Sequence, residues 1–335
     1  MALLAQVTVH SSQFPESVRR ELLESLRVRR VNHKFHYDSL KQTQKWLALH
    51  QVFSPSRTDP DCAATYDRAF DELACRVTAP RVQLIGLGCG GGQKDTRLLR
   101  QLRDAGKDVA YAPVDVSVAM VLTARAAAQA VVPEGKCFPL VCDLATAEDL
   151  PAVFEDLFAD PQMPVVARLF TFFGMLPNFE PRLILPRLAS VIRPGDTLLL
   201  SANLSPGADY AAGLRRILPL YDNGPTRDWL MTFLFDLGVE AADGELTFAF
   251  EDDPAHNGLK RVAAWFQFSR ARQIRVEEHL FDFTSGERVR LFFSYRHTPE
   301  LIRGLLGPLG LQVREQWITN SGEEGVFLAG RLGSR

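Results

Sequence analysis

Short apolar runs alternate with stretches of helical spacing through the middle of this chain. Runs rich in β-branched or aromatic residues predict buried strands, which lie at 82–85, 109–116, 137–142, 164–173 and 196–203. Between them, apolar residues fall on one helical face and predict helices, which lie at 95–106, 119–129, 147–158 and 182–192. Strands that are separated by helices predict an α/β fold with a parallel, doubly wound sheet.

The two ends of the chain carry different patterns. Residues 14–60 predict helices, and 61–77 predict a further amphipathic helix that leads into the first strand. Residues 297–331 predict a helix and then two strands. That pair of strands would complete a seven-stranded sheet with an antiparallel edge.

The block 205–286 is then an insertion before the last strands. We expect one domain from 61–204 and 287–335. We expect 1–60 and the insertion to form a second, α+β domain that closes over a ligand. Ligands of such sheets lie at the carboxyl ends of the strands.

Composition and charge exclude several classes of partner. The 335 residues carry a net charge near −2, so no basic surplus indicates nucleic acid. No apolar run is long enough to span a bilayer, and the first residues lack a secretory signal. Five cysteines are scattered without metal-ligand spacing, which favours a reduced, cytoplasmic protein without a metal. A small molecule is the expected partner, not nucleic acid or a membrane.

A glycine-rich turn follows the first strand of the alternating region. Gly86, Gly88 and Gly90 lie in the string GLGCGGG, and a helix follows. Glycine lets the backbone take a positive φ and approach a ligand, and the helix start offers free N–H groups. We expect these glycines to contact a nucleotide-like ligand. A phosphate-binding P-loop is excluded because no Gly-Lys-Ser/Thr follows.

Acidic residues end the next two predicted strands. Asp115 lies roughly 25 residues after the glycine turn, where a carboxylate can hold a ribose diol. Asp143 follows the next strand and is placed to meet an adenine edge. Together these features predict the S-adenosylmethionine (SAM) site of a class I methyltransferase, which has a Rossmann-like, seven-stranded sheet. The alternative is an ordinary tight turn with two aspartates that cap helices.

Several strings along nearly the whole chain resemble the histidine Nα-methyltransferase family of ergothioneine biosynthesis. The strings are KFHYDSLKQTQKW, GLGCGGGQKDTRLL, APVDVS, FFGMLPNFEP, RPGDTLLLSANL, YDN and FSYRHTPEL, in this order. The resemblance implies an enzyme that uses SAM, and it implies that SAM is bound by Gly86, Lys94, Asp115 and Asp143. It also implies that Asn178 and Tyr221 grip the amino and carboxylate groups of an amino acid acceptor.

The chain departs from this family in the expected acceptor pocket. Members that act on histidine carry a glutamate two residues before a serine, whereas here Phe292 precedes Ser294. A family methionine aligns with Ala264, and the tyrosine of a YPTR-like string becomes Phe53 or Val52. An imidazole buried against Phe292 would lose hydrogen bonds, at about 1–3 kcal/mol for each unpaired group. We therefore expect that histidine is not the acceptor.

A reaction with one substrate fits these departures. The chain resembles a small set of bacterial SAM cyclases, in which the α-amine of SAM attacks its own γ-carbon. The products are azetidine-2-carboxylate, a secondary metabolite, and methylthioadenosine. Aromatic rings would exclude water and hold the sulfonium by cation–π contact, at up to about 2 kcal/mol. The candidate rings are Phe35, Tyr37, Phe172, Phe173, Phe292 and Tyr295.

Other interpretations remain open for the reaction and for the rings. In the cyclase hypothesis Asn178 and Tyr221 lie beside the amine, and Ser294 or Ser201 anchors the carboxylate. One alternative is an N-methyltransferase that acts on a small apolar or aromatic amino acid. A second is a protein that binds SAM without turnover. Each aromatic ring can instead be core packing, which is where aromatic residues most often lie.

The remaining polar candidates have simpler interpretations. His33, His36 and His50 lack the partner pattern of a metal site, so we interpret them as surface or packed residues. Cys89 lies in the glycine turn without a base beside it, and we interpret it as a small packing residue.

Overall fold

The computed structural model describes residues 4–158, 167–207, 209–255 and 258–331. The helices are α1 (Pro15–Arg27), α2 (Leu40–Phe53), α3 (Pro55–Thr58), α4 (Pro60–Arg76), α5 (Gln93–Asp104), α6 (Val118–Ala128), α7 (Leu150–Leu157), α8 (Pro181–Val191), α9 (Tyr210–Ile217), α10 (Gly224–Asp236) and α11 (Pro299–Leu306). The strands are β1 (Thr8–Val9), β2 (Arg81–Leu87), β3 (Asp108–Asp115), β4 (Leu140–Val141), β5 (Ala167–Phe172), β6 (Thr197–Asn203), β7 (Gly244–Asp252), β8 (Lys260–Phe268), β9 (Arg272–Val276), β10 (His279–Phe283), β11 (Arg288–Arg296), β12 (Leu311–Ile318) and β13 (Glu324–Arg331).

The large sheet has eight strands in the order β1-β4-β3-β2-β5-β6-β13-β12. β2 lies near its centre and runs parallel to both neighbours, β3 and β5, because crossover segments return the chain in the same direction. β13 runs antiparallel to β6 and to β12. The predicted class I methyltransferase sheet is therefore confirmed, except that β1 adds an eighth strand beside β4.

One predicted strand is much shorter in the structure. The apolar run at 137–142 forms only the two-residue β4. Pro139 has no N–H to donate to a ladder, and Cys137 makes only an isolated bridge. The predicted strand that includes β5 begins at residue 164, and 164–166 lie outside the described residues.

The segment before α2 is not a continuous helix, contrary to the sequence prediction. His33–His36 form a short 3₁₀ turn, and α2 begins only at Leu40. Ser39 and Gln42 form a capping box, in which the Ser39 side chain accepts from the Gln42 N–H and the Gln42 side chain accepts from the Ser39 N–H. This break turns the side chains at 33 and 37 toward the cavity described below.

The core of the large sheet forms two layers. On one face, Leu98, Leu99 and Leu102 of α5 are fully buried, as the helical spacing predicts, in the same apolar cluster as Tyr66 and Phe70 of α4. On the other face, α7 and α8 supply the buried side chains. A sheet that is covered by helices on both faces leaves its strand ends as the natural place for a ligand.

A second sheet is built from β7, β8 and β11, all antiparallel, in the order β11-β8-β7. It shares an apolar core with α1 and α10, and the larger members of that core are Leu26, Phe35, Trp229, Phe233, Phe266 and Phe268. β11 thus lies in the second sheet, although the sequence prediction grouped 287–335 with the large one. The division into two domains stays a prediction.

Asp95, at the start of α5, ties the centre of the large sheet together beneath the glycine turn. Its carboxylate accepts hydrogen bonds from the Tyr111 hydroxyl on β3 at 2.7 Å and from the Thr171 hydroxyl on β5 at 2.8 Å. Burial raises the pKa of Asp95 to about 6. Gly86 makes room for this carboxylate, because a Cβ there would lie 2.1 Å from Asp95 Oδ2.

We expect Gly86→Ala to lower the free energy of unfolding by about 1–3 kcal/mol, because the added methyl group overpacks the buried carboxylate. Urea unfolding followed by circular dichroism measures the change. Gly135→Ala is the matched control, since no atom lies within 4 Å of a Cβ there, and we expect it to stay within about 0.5 kcal/mol of wild type. Equal unfolding midpoints for the two variants would contradict the steric explanation.

Candidate active site

A cavity of about 320 Å³ opens where the carboxyl ends of the parallel strands meet the second sheet. Its volume lies in the range of small-molecule sites. Strand ends of the large sheet line one side, among them Leu87, Asp115, Thr171, Asn203 and Glu324. The 3₁₀ turn at 33–36, α2, α10 and β11 line the other side. The cavity therefore depends on both sheets.

The glycine turn forms the floor at one end of the cavity. Gly88 and Gly90 line it and take φ values of +67° and +50°, which residues other than glycine rarely adopt. A Cβ on Gly88 would lie 2.5 Å from Met175. The Gly90 N–H donates to Asp115 Oδ2 at 3.0 Å, so the turn and the end of β3 are held together.

Asp115 is buried and lies against the cavity. It accepts from the Gly90 N–H and, at 3.1 Å, from the Ser117 N–H. Burial raises the pKa of its carboxyl to about 6, and the backbone hydrogen bonds oppose that rise. A ligand that donates hydroxyl groups to this carboxylate would stabilise its charged form.

Asp143 carries a buried oxygen that has an ion-pair partner but no hydrogen bond. Its Oδ1 accepts from the Ala145 N–H at 2.9 Å, whereas its Oδ2 has no hydrogen-bond partner among the described residues. Lys34 Nζ lies 3.3 Å from Oδ2 and 2.9 Å from Glu21, so the two carboxylates share one ammonium group. An exocyclic amine of a base is the kind of donor that this oxygen can take.

A charged group lies on the strand-end side of the cavity. Lys94 Nζ donates to the Tyr66 hydroxyl at 2.7 Å and lies 3.6 Å from a carboxylate oxygen of Glu324. The Tyr66 hydroxyl also bonds to Glu324. The same Nζ lies 5.8 Å from the centre of the Phe173 ring. Lys94 thus brings a positive charge to the wall, as the family resemblance implies, with Glu324 as its partner.

The opposite end of the cavity is aromatic. The Phe292 ring centre lies 5.9 Å from that of Trp229, 6.0 Å from His33 and 6.3 Å from Tyr221. Tyr37 closes the side toward α2 through an edge contact with Trp46 at 5.7 Å. The Phe292 ring is therefore surrounded by other rings on the side of Trp229, His33 and Tyr221.

A polar corner adjoins these rings. The Tyr221 hydroxyl lies 2.9 Å from Ser294 Oγ and accepts from the Arg296 guanidinium at 3.0 Å. Asn203 Nδ2 reaches the same hydroxyl at 3.4 Å. Asn178 lines the cavity nearby, and its Nδ2 donates to a backbone carbonyl of β11 at 3.0 Å. The hydroxyl groups of this corner can donate hydrogen bonds to a carboxylate of a ligand. The amide oxygen of Asn178 can accept a hydrogen bond from an amine.

Most of the predicted site residues come together in this cavity. Those that line it are Tyr37, Gly88, Gly90, Lys94, Asp115, Asp143, Phe173, Asn178, Tyr221 and Phe292. Gly86 does not line it but lies in β2 beneath Asp95. Ser294 is buried behind Tyr221 and contacts two groups of the cavity wall, the Tyr221 hydroxyl at 2.9 Å and Asn203 Nδ2 at 3.5 Å. Their individual roles toward a ligand stay predictions.

The structure does not bring Tyr295 to the cavity, so the prediction for this residue is wrong in its placement. Successive side chains of a strand point to opposite faces, and Phe292 and Ser294 take the cavity face of β11. Tyr295 points away, and its hydroxyl donates to Glu180 at 2.7 Å. Phe35 and Phe172 lie in the cores, and Ser201 accepts from a backbone N–H at 2.9 Å.

Sequence analysis missed several residues that pair with the predicted site residues. They are Lys34 beside Asp143, Arg296 and Asn203 beside Tyr221, and Glu324 beside Lys94. The two ion pairs, Lys34–Asp143 and Lys94–Glu324, each join residues more than 100 positions apart in the chain. Only Asn203 carried a usable signal, because it ends a predicted strand at the same edge as Asp115.

Two further observations concern metals and membranes. Within the described ranges, no group of three or more His, Cys, Asp or Glu side chains is arranged to hold a metal ion. No helix in that part of the chain has the length and apolar character needed to cross a bilayer.

Comparison with known proteins gives a family. The sequence profile of the family described as "Histidine-specific methyltransferase, SAM-dependent" matches residues 18–331. The chain is 28% identical to the histidine N-alpha-methyltransferase of Mycolicibacterium smegmatis over 293 residues, which is 83% of each chain. It is also 28% identical to the enzyme of that name from Mycobacterium tuberculosis, over 77% of each chain.

Among solved structures, magnesium protoporphyrin IX methyltransferase from Synechocystis PCC 6803, with bound S-adenosylhomocysteine, aligns with a TM-score of 0.45 and 16% identity. That alignment covers 89% of this chain and 98% of the other. The profile match spans nearly the whole chain and includes the second sheet, the large sheet apart from β1, and the cavity between them. This chain belongs to the family of histidine-specific, SAM-dependent methyltransferases.

Proposed function

We propose that SAM binds with its ribose on Asp115 and its adenine amino group on Asp143. The buried carboxylate of Asp115 and the Oδ2 of Asp143, which has no hydrogen bond, support this placement. Gly88 and Gly90 let the backbone approach the nucleoside. Lys94, which is paired with Glu324, supplies a positive charge on the wall beside SAM.

The proposed reaction is the cyclisation of SAM to azetidine-2-carboxylate and methylthioadenosine. The nitrogen lone pair of the α-amine forms a bond to the γ-carbon, and the carbon–sulfur bond breaks with its electrons going to sulfur. One proton from the α-ammonium passes to water before the attack. A thioether is a neutral leaving group, so positioning carries most of the rate.

The single observation that carries this proposal is the aromatic end of the cavity around Phe292. A methyl acceptor with a polar side chain would meet rings there and lose hydrogen bonds, at about 1–3 kcal/mol for each unpaired group. A sulfonium beside the same rings gains cation–π attraction, up to about 2 kcal/mol when water is excluded. Tyr37, Phe173 and Phe292 are the lining rings that we propose for this contact.

The polar corner suits the two ends of an amino acid. The Tyr221 hydroxyl, supported by Arg296 and Ser294, is the donor that we propose for the carboxylate. Asn178 is the group that we propose beside the amine, because its Nδ2 is already engaged and its carbonyl oxygen can accept. Both groups would hold the methionine tail folded, which brings the amine near the γ-carbon.

The second candidate is an N-methyltransferase that acts on a small apolar or aromatic amino acid. Family membership favours it, and the same polar corner can grip a separate amino acid. We expect histidine to fit poorly as that acceptor, because Phe292 lines the cavity where the members that act on histidine carry a glutamate. The two candidates differ in the nucleoside that they release.

We expect the purified protein with SAM alone to release methylthioadenosine and azetidine-2-carboxylate, because the nucleophile is part of the substrate. Liquid chromatography with mass spectrometry resolves both products. A heat-denatured sample gives the spontaneous background. Release of S-adenosylhomocysteine alone, and only after an amine is added, would overturn the cyclase proposal and favour the methyltransferase.

We expect histidine to be neither a substrate nor a competitor. Incubation of the protein with SAM and histidine should give no methylated histidine by mass spectrometry. The rate of methylthioadenosine release should stay the same when histidine is added, which serves as the internal control. Trimethylhistidine formed by the pure protein would refute the exclusion.

We expect affinity for S-adenosylhomocysteine to fall as pH drops through about 6, because the raised pKa of Asp115 lies there and protonation removes the charged acceptor. Asp115→Asn should bind roughly tenfold or more weakly at pH 7.5, since hydrogen bonds to a charged group are lost. Its affinity should change less between pH 7.5 and 5. Calorimetry measures both proteins, and parallel pH profiles would contradict the ribose assignment. The pKa of Asp95 is also raised to about 6, so the Asp115→Asn variant shows which of the two carboxyls causes the pH dependence.

A further inference from the structure

His33 is a polar ring set among the aromatic residues of the cavity. It lines the cavity at the start of the 3₁₀ turn. Its ring centre lies 4.9 Å from Tyr37, 6.1 Å from Phe179 and 6.0 Å from Phe292. Asn178 and Tyr221, the groups proposed to hold the methionine tail, line the same cavity as His33.

The imidazole of His33 is not fully satisfied by the protein. Its Nε2 is buried and has no hydrogen-bond partner among the described residues. An unpaired buried nitrogen costs free energy that phenylalanine at this position would not incur. The surroundings also hold the ring neutral, because burial and, to a smaller extent, the nearby His36 lower the pKa of His33 to about 3. A neutral imidazole always keeps a lone pair on one ring nitrogen.

Cyclisation makes an unusual demand on the residues around the amine. The α-amine must be neutral and must keep its lone pair free for the γ-carbon. Asp115, Asp143 and Glu324 also line the cavity, and a carboxylate beside the amine would favour its protonated, unreactive form. A neutral acceptor can instead bind an N–H of the amine without adding a charge.

We propose that His33 accepts a hydrogen bond from an N–H of the α-amine of SAM and aims its lone pair at the γ-carbon. The role rests on the proposed cyclisation. No proton is transferred to the imidazole, and the proton that leaves the α-ammonium goes to water. His33 is thus a catalytic residue that acts by positioning the nucleophile.

Three substitutions of His33 test this role. His33→Phe keeps a ring of similar shape without an acceptor. His33→Gln and His33→Asn each supply an amide group. The amide of glutamine reaches the position of Nε2, whereas the shorter asparagine reaches only the position of Nδ1. His297→Phe is the matched control, because His297 is buried with both ring nitrogens unpaired and does not line the cavity.

We expect His33→Phe to lower kcat for methylthioadenosine release from SAM alone by about tenfold or more, which is the loss of one good hydrogen bond. Binding of S-adenosylhomocysteine should stay within about threefold by calorimetry, which also shows that the variant is folded. The share of SAM converted to homoserine by water should rise against azetidine-2-carboxylate. His33→Gln should recover more of the cyclised product than His33→Asn, and His297→Phe should keep the wild-type ratio.

The outcomes separate the two proposals. A wild-type protein that releases methylthioadenosine and azetidine-2-carboxylate, together with an equally active His33→Phe variant, overturns the role of His33 alone. A wild-type protein that releases only S-adenosylhomocysteine overturns both. If His33→Phe fails to bind S-adenosylhomocysteine, the amide variants decide: equal kcat and equal product ratios in both of them and in wild type overturn the role.

Discussion

The burial of one carboxylate beneath the glycine turn is the constraint on which the site depends. Asp95 begins α5 and accepts hydrogen bonds from β3 and β5, the two neighbours of β2. A buried carboxylate is costly unless its oxygens are paired, so these strands and this helix must keep one relative position. Only glycine fits at position 86, where a Cβ would meet that carboxylate. The turn above it, which meets Asp115 through Gly90, is thereby fixed.

The cavity separates charge along its length. Asp115, Asp143 and Glu324 lie at strand ends of the large sheet and Lys94 lies in the first turn of α5, whereas most of the opposite end is made of rings from the second sheet and its helices. SAM has a matching division, with a polar nucleoside at one end and a sulfonium and folded tail at the other. Among the described residues, neutral His33, Tyr37 and Tyr221 line the cavity around Phe292, and the Arg296 guanidinium lies behind Tyr221. The rings around Phe292 can attract a cation, which suits the sulfonium in the proposed cyclisation.

Sequence analysis predicted the parts of this molecule that depend on residues close together in the chain. Strand, glycine turn and helix share one stretch of chain, and Asp115 and Asp143 follow strands, so the nucleoside end could be predicted. Glu324 and Lys34 could not, because their partners lie far away in the chain and no local spacing marks them. The prediction misplaced Tyr295 because the sequence of an aromatic-rich strand does not show which of its two faces lines the cavity. His33 was interpreted as packing because its unpaired nitrogen is visible only in three dimensions.

The two clearest departures from the family resemblance are not independent of each other. Phe292 and Ala264 are directly paired across β11 and β8, so the large ring stands opposite a small side chain. Both residues are buried, and Ala264 is fully enclosed. A large and a small residue in facing positions keep the packing volume nearly constant, which is the change that cores tolerate best. The aromatic wall is therefore a well-packed surface and not a damaged histidine pocket. A surface of that kind discriminates by excluding water and polar groups, which suits the proposed cyclisation.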